Sequence, residues 1–262
     1  MPTLKILDIS TTIGCNLSCK GCNHFSNYFA PTSKLDTDAL IKDIETILPR
    51  LDIDRVSVIG GEPLLNPRCE EIVDACRSHT NSFVYLYTNG LLLLQNESWI
   101  RRVLEDPKVY LRISVHLKEV EDIIKKFNHP KVLVTEHHTG QDRWFNSIKK
   151  RDGKVYPYNQ GRIEKSYKVC SCPNTQLFKG RLWKCPNTAF LRELLSVTEQ
   201  SDAEEWQEYL VDGLPVDCSD DELAKFCYNS RIPEKVCNMC TAKPLHFSAA
   251  IQEKGKRKII LS

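Results

Sequence analysis

No stretch of the chain reaches the roughly 18 consecutive apolar residues that mark a membrane-spanning helix, so no span is expected. The opening residues Met1 to Lys5 carry no apolar signal core. The expected compartment is therefore cytoplasmic, where thiols stay reduced. Neither sign of charge is in excess. The formal net charge is +2 over 262 residues, which gives no general attraction to nucleic acid or to a membrane surface. Internal repeats and low-complexity segments are also lacking, which excludes repeat arrays and disordered tracts. The remaining class is a globular chain able to bury a core without disulfides, with room for one α/β barrel or for a domain and a smaller appendage.

Cysteine, by contrast, is abundant: there are twelve. In a reducing compartment such a set points to metal ligation rather than to a disulfide framework. The cysteines are also grouped. Cys15, Cys19 and Cys22 form one set, Cys170, Cys172 and Cys185 a second, and Cys237 and Cys240 a third. Cys69, Cys76, Cys218 and Cys227 are scattered.

The first 160 or so residues alternate apolar strand-like runs with helical patterns. Strands are expected at Leu4–Ile9, Val56–Ile59, Phe83–Tyr87, Val109–Val115, Val132–Thr135 and Val155–Tyr158. Helices are expected at Asp36–Leu48, with Asp36 as N-cap and Pro49 as stop, and at Pro67–His79 with Pro67 in the first turn. Further helices are expected at Ser98–Leu104, Val120–Phe127 and Asp142–Lys150. About six β/α units in series are the pattern of a parallel barrel or partial barrel. The rhythm breaks near Gly161–Ser166, which places a first domain at 1–165 and a second at 166–262. The last residues carry Lys254, Lys256, Arg257 and Lys258, read as a solvated basic end.

Cys15-Asn-Leu-Ser-Cys19-Lys-Gly-Cys22 is a C-x3-C-x2-C loop just after the first strand. Thiolates bind iron–sulfur clusters, and a 4Fe–4S cube usually takes four of them. This loop offers three, which leaves one iron open to a ligand that is not protein. Zinc is the alternative, but structural zinc prefers two cysteine pairs, and His24 is too close to complete a set.

On this loop the chain resembles the radical S-adenosylmethionine (SAM) superfamily. The resemblance implies an α/β fold: a partial (β/α)6 TIM-like barrel whose 4Fe–4S cluster binds the amino and carboxylate groups of SAM and breaks its sulfonium to give a 5′-deoxyadenosyl radical. Gly60-Gly61-Glu62-Pro63 ends the second strand, where the family carries a turn that binds the methionine amino group. Glycine lets backbone approach closely, proline fixes the turn, and Glu62 complements an ammonium. Thr88, Asn89 and Ser114 match weaker family positions at the ends of the third and fourth strands. Alternation puts Arg112, Ser114 and His116 on one strand face. One departure stands out: Gly21 replaces the aromatic residue often found before the third cysteine, and Phe25 is the nearest substitute.

Cys170 and Cys185 flank Lys179-Gly180, read as a β-hairpin turn that brings them together across two strands. Cys237-x-x-Cys240 would close a four-thiolate site. This looks similar to the second, auxiliary 4Fe–4S cluster of the SPASM and twitch subgroups. No cysteine follows Cys240, so one auxiliary cluster, as in a small C-terminal twitch-type domain, is the implied count. Cys172 is a rival to Cys170, and a zinc ribbon is the other reading of this set. Cys69 and Cys76 read as buried small hydrophobes, while Cys218 and Cys227 stay unassigned.

The layout is similar to that of the 2-deoxy-scyllo-inosamine dehydrogenases. This implies hydrogen abstraction from a small polar substrate (sugar, cyclitol or nucleotide-like) in a biosynthetic oxidation or rearrangement. The implied electron donor resembles flavodoxin or ferredoxin; a membrane partner is not expected, nor is nucleic acid. Barrel enzymes place chemistry at strand C-termini. His116, Glu136, His138, Tyr158, Asn159 and Arg162 fall there, with His116 or His138 as proton acceptor and Arg162 as oxyanion partner for a catalytic role. The competing functions are a ribosomal peptide maturase and a non-catalytic iron–sulfur or zinc protein. Gly60 to Pro63 argues against the last.

Overall fold

The computed structural model describes residues 1–33, 35–138, 143–170, 174–249 and 251–252. Strand β1 (Thr3–Ser10) leads through the cysteine loop to helix α1 (Thr37–Ile47) and β2 (Asp52–Ile59). Then come α2 (Cys69–His79), β3 (Phe83–Thr88), α3 (Glu97–Val103), β4 (Val109–Val115), α4 (Val120–Phe127) and β5 (Val132–Glu136). Successive strands β1 to β5 pair in parallel, the arrangement helical crossovers allow. In β4, Val109, Leu111, Ile113 and Val115 are buried in one core with Ile100 of α3 and Phe127 of α4. Tyr110, Arg112 and Ser114 alternate onto the opposite, half-open face. That face is the concave wall of a partial barrel, and the strand C-termini open onto it.

The Asp36 carboxylate accepts from the Ala39 N–H at 3.1 Å, so α1 is capped as the sequence predicts. Asp36→Ala should cost about 1 kcal/mol, read as a lower denaturant midpoint with unchanged slope. Arg68 sits at the cap of α2, so Pro67 precedes that helix instead of lying in its first turn.

The sixth unit differs from expectation. Residues 143–158 form β6 (Arg143–Trp144), β7 (Lys149–Arg151) and β8 (Lys154–Tyr156), not a helix and a barrel strand; Asp142 lies outside the described residues. Phe145 and Ile148 are both buried, and their three-residue spacing imitates a helix face. β7 and β8 pair antiparallel around Asp152-Gly153, whose φ values of 52° and 77° make a hairpin turn.

The place beside β1 is filled from later in the chain. After α5 (Ile163–Lys168) come β9 (Thr175–Phe178), β10 (Arg181–Trp183), α6 (Pro186–Val197), the single turn α7 (Glu204–Gln207), β11 (Leu214–Pro215), α8 (Asp220–Asn229) and β12 (Phe247–Ser248). β9 joins β1 in parallel, giving an eight-stranded sheet in the order β11-β10-β9-β1-β2-β3-β4-β5. Asp8 accepts from Gln176 at 2.9 Å and from Asn174 at 3.1 Å, which ties β9 to the buried end of β1. Lys179-Gly180 does form the β9–β10 turn, with φ values of 49° and 71°. A second core, with Phe25, Phe178, Trp183, Phe190 and Trp206, packs this later segment against the cysteine loop. Among the described residues no helix is long and apolar enough to cross a membrane.

Candidate functional site

The C-terminal ends of β1 to β4 surround a cavity of about 140 Å³. Cys15, Cys19 and Cys22 line it together with Gly60, Gly61, Glu62, Pro63, Thr88, Asn89, Ser114 and His116. These residues come from the ends of four strands and the loops that follow them. The packing of those loops on one another explains their composition. A Cβ on Gly61 would lie 2.0 Å from the Gly14 carbonyl oxygen, and one on Gly60 would lie 2.7 Å from that of Thr12. The two glycines thus let the second loop press on the backbone of the cysteine loop, where Gly61 N–H donates to Thr12 and Glu62 N–H to Gly14, both at 3.0 Å.

Glu62 is buried and joins three loops. Its carboxylate accepts from the Thr88 hydroxyl at 2.7 Å, the Asn89 N–H at 2.8 Å and the Leu64 N–H at 3.1 Å. The last of these caps the turn that Pro63 starts. Oε1 takes two of these donors and Oε2 one, so one of the four acceptor positions of a carboxylate stays open. Burial raises the Glu62 pKa from 4.5 to about 7, against the pull of those three donors. A cation beside the remaining lone pair would offset that desolvation.

The three thiols fit an iron–sulfur cluster. Burial, then the Glu62 and Cys19 charges, push the Cys15 thiol well above its ordinary value; burial and Cys22 push Cys19 up to about 12. Grouped thiolates are therefore unfavourable here without positive charge, which an iron core supplies. The Leu17 N–H points at Cys15 Sγ from 3.3 Å, and the Asn89 amide from 3.7 Å. Cluster sulfurs accept such donors.

His116 is buried, and its Nδ1 lies 3.3 Å from the Ala249 carbonyl, which can only accept. Nδ1 thus carries the proton and Nε2 is the acceptor. Burial and the neighbouring His137 lower the His116 pKa to about 4, so the imidazole is neutral. Its ring stacks on His137 at 4.6 Å and meets Trp144 edge-on at 5.2 Å.

The other expected substrate-side residues are not gathered at this cavity. Arg162 is exposed at the start of α5, and Glu136 is exposed at the end of β5. His138 pairs with Glu121 at 2.7 Å. Asn159 is exposed and accepts from Asn238 at 2.7 Å, while Tyr158 lies under Lys149. Arg112 reaches Thr135 and Tyr87 instead. Phe25 is packed in the second core and does not stand in for the missing aromatic residue. The rings of Trp144 and Phe247 take that space: a Cβ on Gly21 would lie 3.1 Å from each.

Sequence reasoning also missed Ser26 and Asn27, which line the cavity. Ser26 Oγ and both polar atoms of the Asn27 amide are buried there with no hydrogen-bond partner among the described residues.

The family model described as the radical SAM superfamily matches residues 9–138, the stretch that carries every one of these loops. The chain belongs to the radical SAM superfamily. It is an enzyme of that superfamily, which implies a 4Fe–4S cluster and SAM as cofactors. It is 31% identical over 137 residues to GTP 3′,8-cyclase of Aquifex aeolicus (strain VF5), covering 46% of this chain and 43% of that one. It is 33% identical over 93 residues to a probable GTP 3′,8-cyclase of Methanococcus aeolicus (strain ATCC BAA-1280 / DSM 17508 / OCM 812 / Nankai-3), covering 34% and 31%. These matches span less than half of either relative. The crystal structure of BtrN in complex with AdoMet and 2-DOIA shares the fold, with a TM-score of 0.52 at 16% identity over 94% of this chain and 98% of that one.

This radical SAM enzyme has a second cysteine-lined cavity. Cys170, Cys185, Cys237 and Cys240 line it with Tyr167 and Lys184. Cys170 follows α5 and Cys185 caps α6, so the two meet across helix ends and not across hairpin strands. Cys237 and Cys240 come from one 3₁₀ turn and its end. Burial and the other three thiols push Cys240 well above its ordinary value, and burial pushes Cys185 up to about 11. Asn187 donates to Cys240 Sγ at 3.1 Å. Cys172 lies outside the described residues. Cys69 and Cys76 are buried in the first core, and Cys218 and Cys227 pack on or within it, away from both cavities.

Proposed function

We propose that this radical SAM enzyme holds its catalytic cluster through Cys15, Cys19 and Cys22, and seats SAM across Gly60–Pro63, Thr88, Asn89 and Ser114. Its substrate is a small polar molecule of the sugar, cyclitol or nucleotide kind, converted in a biosynthetic oxidation or rearrangement. The observation that carries this reading is that three thiols and the Gly-Gly-Glu-Pro turn line one cavity. When bound, such a cluster would supply one electron to the sulfonium of SAM, the family's route to a radical that would take a hydrogen atom from the substrate. Glu62 holds the ammonium of SAM at its open lone pair. The unpartnered Ser26 and Asn27 favour a ligand rich in hydroxyl or amine groups, because buried polar atoms are costly unless paired. Neutral His116 offers Nε2 to a substrate hydroxyl.

A second cluster on Cys170, Cys185, Cys237 and Cys240, in a twitch-type segment, would take up the second electron of an oxidation. Zinc would draw its thiols to within about 3.8 Å of one another. A flavodoxin- or ferredoxin-like protein is the proposed electron donor.

The anaerobically reconstituted protein, given SAM and dithionite, should release 5′-deoxyadenosine, measured by mass spectrometry. An iron-loaded protein that releases none overturns the reading. GTP, for which its relatives are named, and 2-DOIA, bound in its fold neighbour, are the first substrates to add.

SAM affinity should also depend on pH. The native Glu62 carboxyl holds its proton up to about pH 7. Between pH 4.5 and 7 the folded state thus binds more protons at this group than the unfolded chain, and its contribution to stability falls as pH rises. An ammonium ligand needs the ionised form. The dissociation constant should fall about tenfold between pH 6 and pH 8, and Glu62→Gln should flatten that slope in equilibrium dialysis. A slope that survives Glu62→Gln would remove Glu62 from the ammonium site.

A further inference from the structure

The chain returns to the cysteine loop long after leaving it. Phe247 of β12 pairs with Trp144 of β6, and their rings fill the space over Gly21. Lys20 Nζ lies 4.8 Å from the Phe247 ring. The Lys20 N–H donates to the Ile251 carbonyl at 2.9 Å, and Gln252 forms an antiparallel bridge with Cys19. At the end of this returning segment the Gln252 side chain makes two bonds with distinct chemistry. Its Oε1 accepts from the Ser18 N–H at 2.7 Å, and its Nε2 donates to Cys19 Sγ at 3.2 Å. A backbone N–H can only donate, which fixes which end of the amide faces the sulfur.

Donors to cluster sulfurs favour the more negative, reduced form of an iron–sulfur centre and so raise its potential. Such outer partners also fix the ligand they touch. Leu17 N–H and Asn89 face Cys15 from elements next to the loop. For Cys19 the side-chain donor comes from 233 positions further along the chain.

We propose that Gln252 is a potential-setting residue for the cluster on Cys15, Cys19 and Cys22, delivered to Cys19 Sγ by the pairing of Phe247 with Trp144 and of Ile251 and Gln252 with the cysteine loop. This rests on that cluster assignment. The glycine at position 21 belongs to the same device, since a larger side chain there would displace the rings that dock the segment.

Gln252→Glu and Gln252→Met separate the two bonds. A glutamate keeps an oxygen for the Ser18 N–H, and with it the docking, but replaces the donor to Cys19 by a negative charge. Methionine keeps the length and loses both bonds. The experiment is an EPR-monitored redox titration of the reconstituted full chain, with iron and sulfide analysis of each sample. To isolate the signal of this cluster, it is done in a background carrying Cys185→Ala and Cys240→Ala. The expected order of potentials is wild type, then Met, then Glu. At a fixed applied potential, the ratio of reduced to oxidised cluster should drop about tenfold in Gln252→Met, which is about 59 mV for one electron, and further in Gln252→Glu. Iron content should stay at the wild-type level in Gln252→Glu. Equal potentials in all three proteins, or Gln252→Glu at or above wild type, overturn this proposal. A wild-type background that binds no iron overturns the cluster assignment instead.

Discussion

A Cys15/Cys19/Cys22→Ala triple variant should retain about four irons per chain after anaerobic reconstitution, against about eight in the wild type. It should release no 5′-deoxyadenosine, a loss of at least about a thousandfold. The three thiols share one cavity wall, and the four of the second set line a different cavity, so removing one set leaves the other its ligands. The loop itself should hold its place without sulfur. It is anchored by backbone bonds, from Gly61 to Thr12, from Glu62 to Gly14, and from Ile13 to Ser33 at 3.2 Å. Loss of activity would therefore report loss of the cluster rather than of the fold, and an unchanged circular dichroism spectrum would show it. A triple variant that keeps all of its iron overturns the first site. Zinc in place of the residual iron overturns the second.

Gly61→Ala should be the most damaging methyl group that can be added to the chain near the site. The new Cβ would sit 2.0 Å from the Gly14 oxygen and 2.4 Å from its carbon, both backbone atoms with no rotamer to yield. Overpacking of this kind costs about 3 kcal/mol or more, on the order of 10 °C in melting temperature for a chain of this size. The effect should exceed one contact, because Glu62, next in the chain, holds Thr88 and Asn89. Displacing the turn breaks the junction of three loops, so cluster loading and SAM binding should fall together. The control is Gly161→Asn. Gly161 has a φ of 64° but nothing within 4 Å of its added Cβ, and asparagine tolerates that backbone. It should melt within about 1 °C of wild type. Equal melting temperatures for Gly61→Ala and Gly161→Asn would mean the loops do not press together as described.

The cysteine loop, the Gly-Gly-Glu-Pro turn and strands β1 to β5 were legible in the sequence because each is a local pattern. Spacing, strand alternation and a cap such as Asp36 need no knowledge of the rest of the chain. Glu62 was found, but only half of its role: the burial that raises its pKa, and its grip on Thr88 and Asn89, depend on loops 26 residues apart. Residues 143–158 were misread because Phe145 and Ile148 copy a helix face, although Asp152-Gly153 is a hairpin signal that would have separated β7 from β8. His137 was passed over for its neighbours Glu136 and His138. β5 is an edge strand with no buried residue, so its sequence carries no alternation to set which side chains turn inward. Trp144, Phe247 and Gln252 reach the site through pairings that no local pattern announces.

Strand β9 has a consequence for how the chain is made. Asp8 and Gln176, partners across the β1–β9 pair, are 168 positions apart. At ribosomal rates of 5–20 residues per second, β1 must wait roughly 10–30 s for its outer neighbour. Throughout that interval its edge is an open template for other strands, and the carboxylate of Asp8 lacks the amides that satisfy it. The family-matched stretch 9–138 thus contains the cavity-lining loops but leaves one side of their first strand bare. A nascent chain stalled or cut near residue 165 would be a candidate for chaperone capture, and its release would await the synthesis of the Thr175–Phe178 strand.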